Sequence, residues 1–172
     1  MRIVPTTTLF LALLPALAVA QAPVAKAFKD DAADKGKNLI AAAETMPATD
    51  FLFKPTPASM SFATVVIHLA QGNDFLCGAI GGMKAPIRAP VKEADTKDVL
   101  VARLKETFAF CDQALAGLDD SKLTEMLPMF GGKSMTRAAV LTLTTGDWAD
   151  HYSQSAIYLR LKGQLPPTAK KP

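Results

Sequence analysis

The chain has 172 residues, of which 49% are hydrophobic and 20% are charged. Its 19 basic and 16 acidic side chains are intermixed, so the sequence contains no basic stripe of the kind that binds nucleic acid or an anionic membrane. With only two histidines and two cysteines, the candidates for a metal or redox site are few.

The first twenty residues, MRIVPTTTLFLALLPALAVA, have the pattern of a secretory signal peptide. Arg2 precedes an apolar stretch over residues 9–17, and the small residues before the cut fit cleavage after Ala20. Cleavage after Ala22 is less favourable because Pro23 would then follow the cut.

We therefore expect an exported protein, either periplasmic or extracellular, whose residues 21–172 form one domain. The apolar part of the leader is too short to cross a bilayer of roughly 30 Å as a mature helix. Later stretches of the sequence also fall short of the ~20 apolar residues that a spanning helix needs, so we expect no stable membrane insertion.

Helical spacing of apolar residues predicts a first helix from about Val24 to Met46, which Pro47 ends. The residues expected on its buried face are Phe28, Ala32, Leu39, Ala43 and Met46. The proline-rich stretch 47–59 contains Phe51 and Phe53, which we expect to fold back over one end of a bundle.

Ser61 is a candidate N-cap for a second helix that ends at Gly81 and Gly82. Its expected buried face comprises Phe62, Val66, Leu69, Leu76 and Ile80. The following stretch, with Pro86 and Pro90, reads as an extended crossover. A connection of this length means that the second and third helices need not form an antiparallel hairpin.

A third helix is predicted to begin at Asp95 or Thr96. Its apolar stripe is the most regular in the chain and comprises Leu100, Leu104, Phe108, Cys111, Leu115 and Leu118. A short helix is predicted over residues 119–128, and residues 129–134 are predicted to form a turn with a possible small hairpin. A fourth helix follows from Ser134 to Lys162. Four amphipathic helices without a sustained strand pattern predict an all-α four-helix bundle.

Cys77 and Cys111 fall in the second and third helices. Export would place them in an oxidising compartment, which favours a disulfide between the two helices. Closing a loop of about 34 residues would stabilise the fold by roughly 3 to 4 kcal/mol. Two buried free cysteines are the alternative, because pairing requires Cα atoms within ~7 Å. Neither cysteine belongs to a C-x-x-C or C-x-x-C-H motif.

His68 lies among apolar residues of the second helix, where a lone histidine is more often a hydrogen-bonded core residue than a ligand. Asp147 and His151 are four residues apart, so their side chains share one face of the fourth helix. If these helices are neighbours, His68 completes a set of two imidazoles and one carboxylate. Such a set with open coordination positions suits a divalent transition metal such as Zn, Ni, Mn or Fe.

Gln154, Ser155 and Tyr158 follow His151 at helical spacings and could support the ligands or contact a substrate. Ordinary polar and interfacial helix positions are the alternative interpretation of all three residues.

The segments FKPTPASMSFATVVIHLA and HYSQSAIYLRLKGQLPP resemble the DinB-like (YfiT-like) family over most of the chain, from about Ala25 to Pro167. The resemblance implies a four-helix bundle with a crossover connection and a metal centre of three histidines. One family histidine falls on His68 and the last falls on His151. The position of the remaining histidine is occupied by Asp147, which is a departure from the family pattern.

The resemblance implies a metal-dependent enzyme, hydrolase-like or transferase-like, acting on an unknown small molecule, and it is compatible with a homodimer. Some members of the family are thiol-dependent transferases, but an exported protein meets fewer low-molecular-weight thiols. A bound metal could instead make a hydroxide nucleophile from water. The alternatives are a non-catalytic bundle with a degenerate site that binds a small molecule or a partner, and a b-type haem protein using a histidine and one of seven methionines.

Overall fold

Four long helices occupy most of the chain in a computed structural model that describes residues 22–169. They are α1 (Pro23–Thr45), α2 (Phe62–Gly81), α3 (Lys97–Leu115) and α4 (Arg137–Leu161). The predicted bundle is confirmed, and the predicted helix ends agree with the observed ones to within three residues. The predicted leader, residues 1–20, lies outside the described residues. None of the helices between residues 22 and 169 is apolar over a length that would cross a bilayer.

Side chains at the helix N-termini explain where the helices begin. Ser61, Thr96 and Thr136 precede α2, α3 and α4, and the hydroxyl of each accepts a bond from the amide three residues later. Helix α1 begins instead with Pro23, and its cap comes from a distant residue. The carboxylate of Asp120 accepts bonds from the next two amides of α1 at 3.1 and 2.7 Å.

Helices α2 and α3 run parallel, as the long connection between them allows. Residues further along α2 contact residues further along α3: position 73 contacts 107, 77 contacts 111, and 81 contacts 114. Helix α4 is antiparallel to α2, since Tyr158 contacts Met60 at one end and Trp148 contacts Asn73 further along. The predicted crossover connection is confirmed. Arg88 anchors it by pairing with Asp74 of α2 at 2.8 Å and with Glu106 of α3 at 3.2 Å.

The close approach of α2 and α3 depends on a glycine and a disulfide. A Cβ atom on Gly81 would lie 2.2 Å from the carbonyl oxygen of Ala114, so a larger residue would force the helices apart. One turn earlier, Cys77 and Cys111 form the predicted disulfide, with their Cα atoms 5.1 Å apart. The two observations fix the register of the parallel pair.

A buried polar network lies one turn before the disulfide. The side-chain oxygen of Asn73 accepts a bond of 2.8 Å from the indole nitrogen of Trp148, and its nitrogen donates to Thr107 at 3.2 Å. The Thr107 hydroxyl donates in turn to the carbonyl oxygen of Leu104 at 2.9 Å. The network joins α2, α3 and α4 at the centre of the bundle.

The predicted apolar faces form the core. Trp148 is fully buried between Phe28 and Phe108, with ring centroids 6.1 and 5.7 Å away. The aromatic pair after α1 folds back as predicted. Phe51 packs edge-on against Phe62, and Phe53 packs edge-on against Tyr158. Burial of these apolar faces is the main source of stability for such a bundle.

The prediction of a short helix over residues 119–128 is wrong. A single 3₁₀ turn (Asp120–Lys122) is followed by strand β1 (Met126–Pro128), which pairs antiparallel with β2 (Ser134–Thr136). The possible hairpin is therefore present, and α4 begins three residues later than predicted because Ser134–Thr136 pairs with β1. Leu127 points into the core from β1, so tertiary packing outweighs the helix propensity of this segment.

Candidate metal centre

The antiparallel contact between α2 and α4 brings His68, Asp147 and His151 together. One candidate ligand atom from each residue lies within 4.8 Å of the other two. The Nε2 atom of His68 is 3.9 Å from a carboxylate oxygen of Asp147. The rings of His68 and His151 are stacked, with centroids 4.8 Å apart and planes inclined by 27°.

The three side chains differ in their exposure to solvent. The side chain of His68 is 51% exposed, that of Asp147 is 24% exposed and that of His151 is 7% exposed. The cluster thus runs from the buried centre of the bundle to its surface. A ligand could reach it from the side of His68 without passing through the core.

His151 is buried without a compensating hydrogen bond. Neither of its ring nitrogens has a hydrogen-bond partner among residues 22–169. A carboxylate oxygen of Asp150 lies 3.5 Å from Nδ1, which is too distant for a well-formed hydrogen bond. Buried polar atoms are nearly always paired in folded proteins, so the unpaired buried imidazole makes His151 a candidate ligand.

Burial lowers the pKa of His151 below its usual value, because the low-dielectric interior disfavours the imidazolium form. The negative charges of Asp147 and Asp150 oppose this shift, whereas the neighbouring His68 acts in the same direction as burial. The imidazole of His151 is therefore neutral near pH 7. A neutral imidazole is the form that binds a metal ion.

The residues present fit a divalent transition metal. Nitrogen and oxygen ligands around one ion at ~2.1 Å lie about 3 to 3.5 Å from one another. The candidate ligand atoms lie within 4.8 Å of one another, which is within about 1–2 Å of that spacing. The exposed side chain of His68 has the freedom to close the difference by rotation. Two imidazoles and a carboxylate are also a donor set used by catalytic metal sites.

Gln154, Ser155 and Tyr158 occupy different environments. The side-chain nitrogen of Gln154 donates a bond of 2.7 Å to Asp150, the residue that flanks His151. Ser155 is buried in α4. The hydroxyl of Tyr158, eleven positions after Asp147 along α4, donates a bond of 2.8 Å to the carbonyl oxygen of Met60. Of the three, Gln154 therefore bonds to a residue that lies beside the candidate ligand His151.

A cleft of about 330 Å³ opens beside the cluster. Its lining combines two candidate ligands with mainly apolar residues: His68, Gln71, Gly72, Phe75, Leu76, Phe130, Leu143 and Asp147. Sequence reasoning missed the apolar part of this lining. The available signal was weak, since Phe75 lies off the buried face of α2 and Phe130 stands beside two glycines in a turn.

Comparison with solved structures shows the same fold in several bacterial proteins. A DinB-like protein from Bacillus subtilis has a TM-score of 0.67 and 20% identity, covering 84% of this chain and 99% of that chain. A DinB-like protein from Bacillus cereus has a TM-score of 0.68 and 14% identity, covering 84% and 97%. YfiT from Bacillus subtilis, described as a probable metal-dependent hydrolase with an unusual four-helix bundle topology, has a TM-score of 0.63 and 16% identity, covering 88% and 94%.

Sequence comparison gives the family directly. A search of curated proteins finds no match. The sequence model of the DinB superfamily, however, matches residues 34–155. This match spans most of the bundle and includes His68, Asp147 and His151. The chain belongs to the DinB superfamily.

Proposed function

We propose that this protein is a metal-dependent enzyme of the hydrolase type that binds a divalent ion through His68, Asp147 and His151. The observation that carries the proposal is the buried, unpaired imidazole of His151 beside two further donor groups. The description of YfiT as a probable metal-dependent hydrolase agrees with it.

Zinc is the ion that we propose first, because catalytic zinc sites use two histidines and a carboxylate and leave a position open for substrate. Nickel, manganese and iron are compatible with the same donors. When bound, such an ion lowers the pKa of a coordinated water toward neutrality and polarises a substrate carbonyl.

The protein's own residues have separable roles in this proposal. His151 offers a neutral imidazole, because burial lowers its pKa. The carboxylate of Asp150, 3.5 Å from Nδ1 of His151, is the group that would accept a hydrogen bond from Nδ1–H, and Gln154 donates a bond to Asp150. This arrangement leaves the lone pair of Nε2 for the ion. Asp147 contributes negative charge, and the exposed His68 completes the site on the solvent side.

Metal analysis of protein purified without a nickel column tests the proposal. We expect close to one zinc per chain after supplementation with zinc and dialysis. The stoichiometry should fall sharply in His68→Ala and His151→Ala and should be unchanged in Gln113→Ala, which alters an exposed residue of α3. Less than about 0.1 metal per chain in the wild type would overturn the proposal and favour a non-catalytic small-molecule-binding bundle.

The substitution Asp147→His tests the role of the carboxylate. It introduces the residue that the family pattern has at this position and replaces an oxygen donor with a nitrogen donor. Imidazole favours zinc and nickel over manganese, so we expect the preference for zinc over manganese to rise by about tenfold, or about 1.4 kcal/mol. Competition titrations measure this preference. An unchanged preference in a variant that still binds zinc would show that residue 147 is not a ligand.

We also propose that the protein is exported, with cleavage after Ala20. The leader pattern supports this, and the Cys77–Cys111 disulfide is compatible with an oxidising compartment. Mass spectrometry of the protein from the periplasmic and extracellular fractions of its host tests the proposal. We expect a mature chain that begins at Gln21, and recovery of the uncleaved chain in the cytoplasm alone would contradict it.

A further inference from the structure

The cleft beside His68, Asp147 and His151 has two chemically different ends. His68 and Asp147 form one end, and the aromatic side chains of Phe75 and Phe130 lie at the other. Seven residues separate His68 from Phe75 along α2, which corresponds to about 10 Å of helix. The floor of the cleft is thus long enough for one ring-sized group attached to a small polar head.

The apolar end is built by three separate elements. Phe75 projects from α2 and Leu143 from α4, where Leu143 lies one turn before Asp147 on the same face. Phe130 projects from the turn between β1 and β2, and its ring centroid is 5.8 Å from that of Phe75. These three large side chains are all substantially exposed to solvent. A ligand that covers them removes apolar surface from water, which favours binding.

Gly72 keeps the middle of the cleft open. It lies on α2 between the two ends and lines the cleft without a side chain. A Cβ atom at this position would have a single neighbour within 4 Å among the described residues, an oxygen of Asp147 at 3.8 Å. The space above Gly72 is therefore available to a ligand that extends from the cluster toward Phe130.

A divalent ion bound by His68, Asp147 and His151 would favour a particular kind of polar group at one end of that ligand. A divalent ion held there would be a concentrated positive charge with an open position, and it would attract an anionic or strongly polarised oxygen. Resting on the function proposed above, we infer that the substrate is a small carbonyl or carboxyl compound with an aryl or branched apolar group. Its oxygen binds at the His68 and Asp147 end, and its apolar group packs against Phe75, Phe130 and Leu143.

Two hydroxamates that differ in the apolar group test this inference on zinc-loaded protein. Calorimetry gives the Kd of benzohydroxamate, which carries a ring, and of acetohydroxamate, which carries a methyl group. We expect Phe130→Ala to weaken benzohydroxamate binding by about tenfold and to leave acetohydroxamate binding unchanged. Leu143→Ala should act in the same direction. Comparing each ligand between variants cancels any intrinsic difference in chelation between the two compounds.

Ile157→Ala is the matched control. Ile157 is 54% exposed, close to the 61% of Phe130, but it lies at the other end of α4 from Leu143. Its truncation should change neither Kd. Equal losses in Phe130→Ala and Ile157→Ala, or no loss in Phe130→Ala and Leu143→Ala, would overturn the apolar subsite while leaving metal binding intact.

A metal-independent measurement separates the subsite from the proposed function. Neutral 4-fluorobenzyl alcohol is titrated into metal-free protein and followed by ¹⁹F NMR. We expect a saturable shift that Phe130→Ala abolishes and Ile157→Ala preserves. If zinc does not bind but this shift is observed, the metalloenzyme proposal fails and the apolar subsite stands. If the shift is absent as well, both are overturned.

Discussion

Asn73 of α2 and His151 of α4 are both buried polar residues, and they differ in how their hydrogen bonds are satisfied. Each belongs to a cluster of polar side chains that includes residues of both helices. In the first, Asn73 bonds to both Trp148 and Thr107 through its side chain. In the second, the buried ring of His151 lies beside His68 and Asp147 with neither nitrogen paired among residues 22–169. Trp148 directly follows Asp147 in the sequence, so the same stretch of α4 contributes to both clusters.

The difference separates a structural role from a binding role. An unpaired buried polar group costs about 1 to 3 kcal/mol, and this cost is offset in the Asn73 cluster by bonds within the protein. For His151 no such bond is present among residues 22–169, and in the proposed function a bound ligand offsets the cost. The first cluster should therefore control the stability of the fold, and the second should control what the protein binds.

The largest expected effect that tests this comparison is the loss of metal binding in His151→Leu. We expect zinc affinity to fall by more than about a hundredfold, because the most buried of the three proposed ligands is removed. The metal-free variant should gain about 1 kcal/mol in free energy of unfolding, since a buried unpaired imidazole is replaced by an apolar side chain of similar size. Zinc titration and urea denaturation measure the two quantities.

A destabilised His151→Leu variant would contradict the comparison, because it would mean that His151 contributes to the fold as Asn73 does. Zinc affinity equal to that of the wild type would instead remove His151 from the proposed ligands.

The converse substitution is Asn73→Ala. It leaves the indole nitrogen of the fully buried Trp148 without its acceptor and removes the link to Thr107. We expect the free energy of unfolding to fall by about 2 to 3 kcal/mol. Zinc stoichiometry should remain that of the wild type at temperatures where the variant is folded. Gln113→Ala is the control and should change the free energy of unfolding by less than about 0.5 kcal/mol.

A smaller effect is expected at Asp150, which is not one of the three proposed ligands but lies beside His151. Asp150→Asn removes the carboxylate that lies 3.5 Å from Nδ1 of His151. We expect zinc affinity to fall by about tenfold, as for other carboxylates that orient a metal-bound histidine. Zinc stoichiometry at saturating metal should not change. Full retention of affinity in both Asp150→Asn and Gln154→Ala would show that neither residue positions His151.

Much of this architecture could be predicted from the sequence, because helix formation leaves a local signal. The apolar spacing on the first three helices predicts the buried faces, and the separation of Asp147 and His151 by four residues places them on one face. The bundle and the composition of the candidate metal site follow from these local patterns together with the family resemblance.

Other features depend on contacts between residues distant in sequence, for which no local pattern exists. The cap of α1 by Asp120 joins residues about 95 positions apart, and the bond between Asn73 and Trp148 spans 75 positions. The pairing of β1 with β2 overrides a segment that reads locally as a helix. The sequence also cannot show which buried polar side chains are satisfied, since that depends on all the elements packed around them.

The smallest expected effect concerns the pH dependence of the free energy of unfolding, to which His151 should contribute and Asn73 should not. Burial lowers the pKa of His151 in the folded protein below the value of about 6.5 expected in the unfolded chain. As the pH falls through about 6.5, the unfolded chain takes up a proton before the folded protein does. The contribution of His151 to the free energy of unfolding of the metal-free protein should therefore be constant above this pH and become destabilising below it. His151→Leu should lose this part of the pH dependence, whereas Asn73→Ala, which removes no ionisable group, should retain it. Urea denaturation in the presence of EDTA between pH 5 and pH 8 measures the three curves, and a constant offset between the wild type and His151→Leu would show that His151 titrates alike in both states.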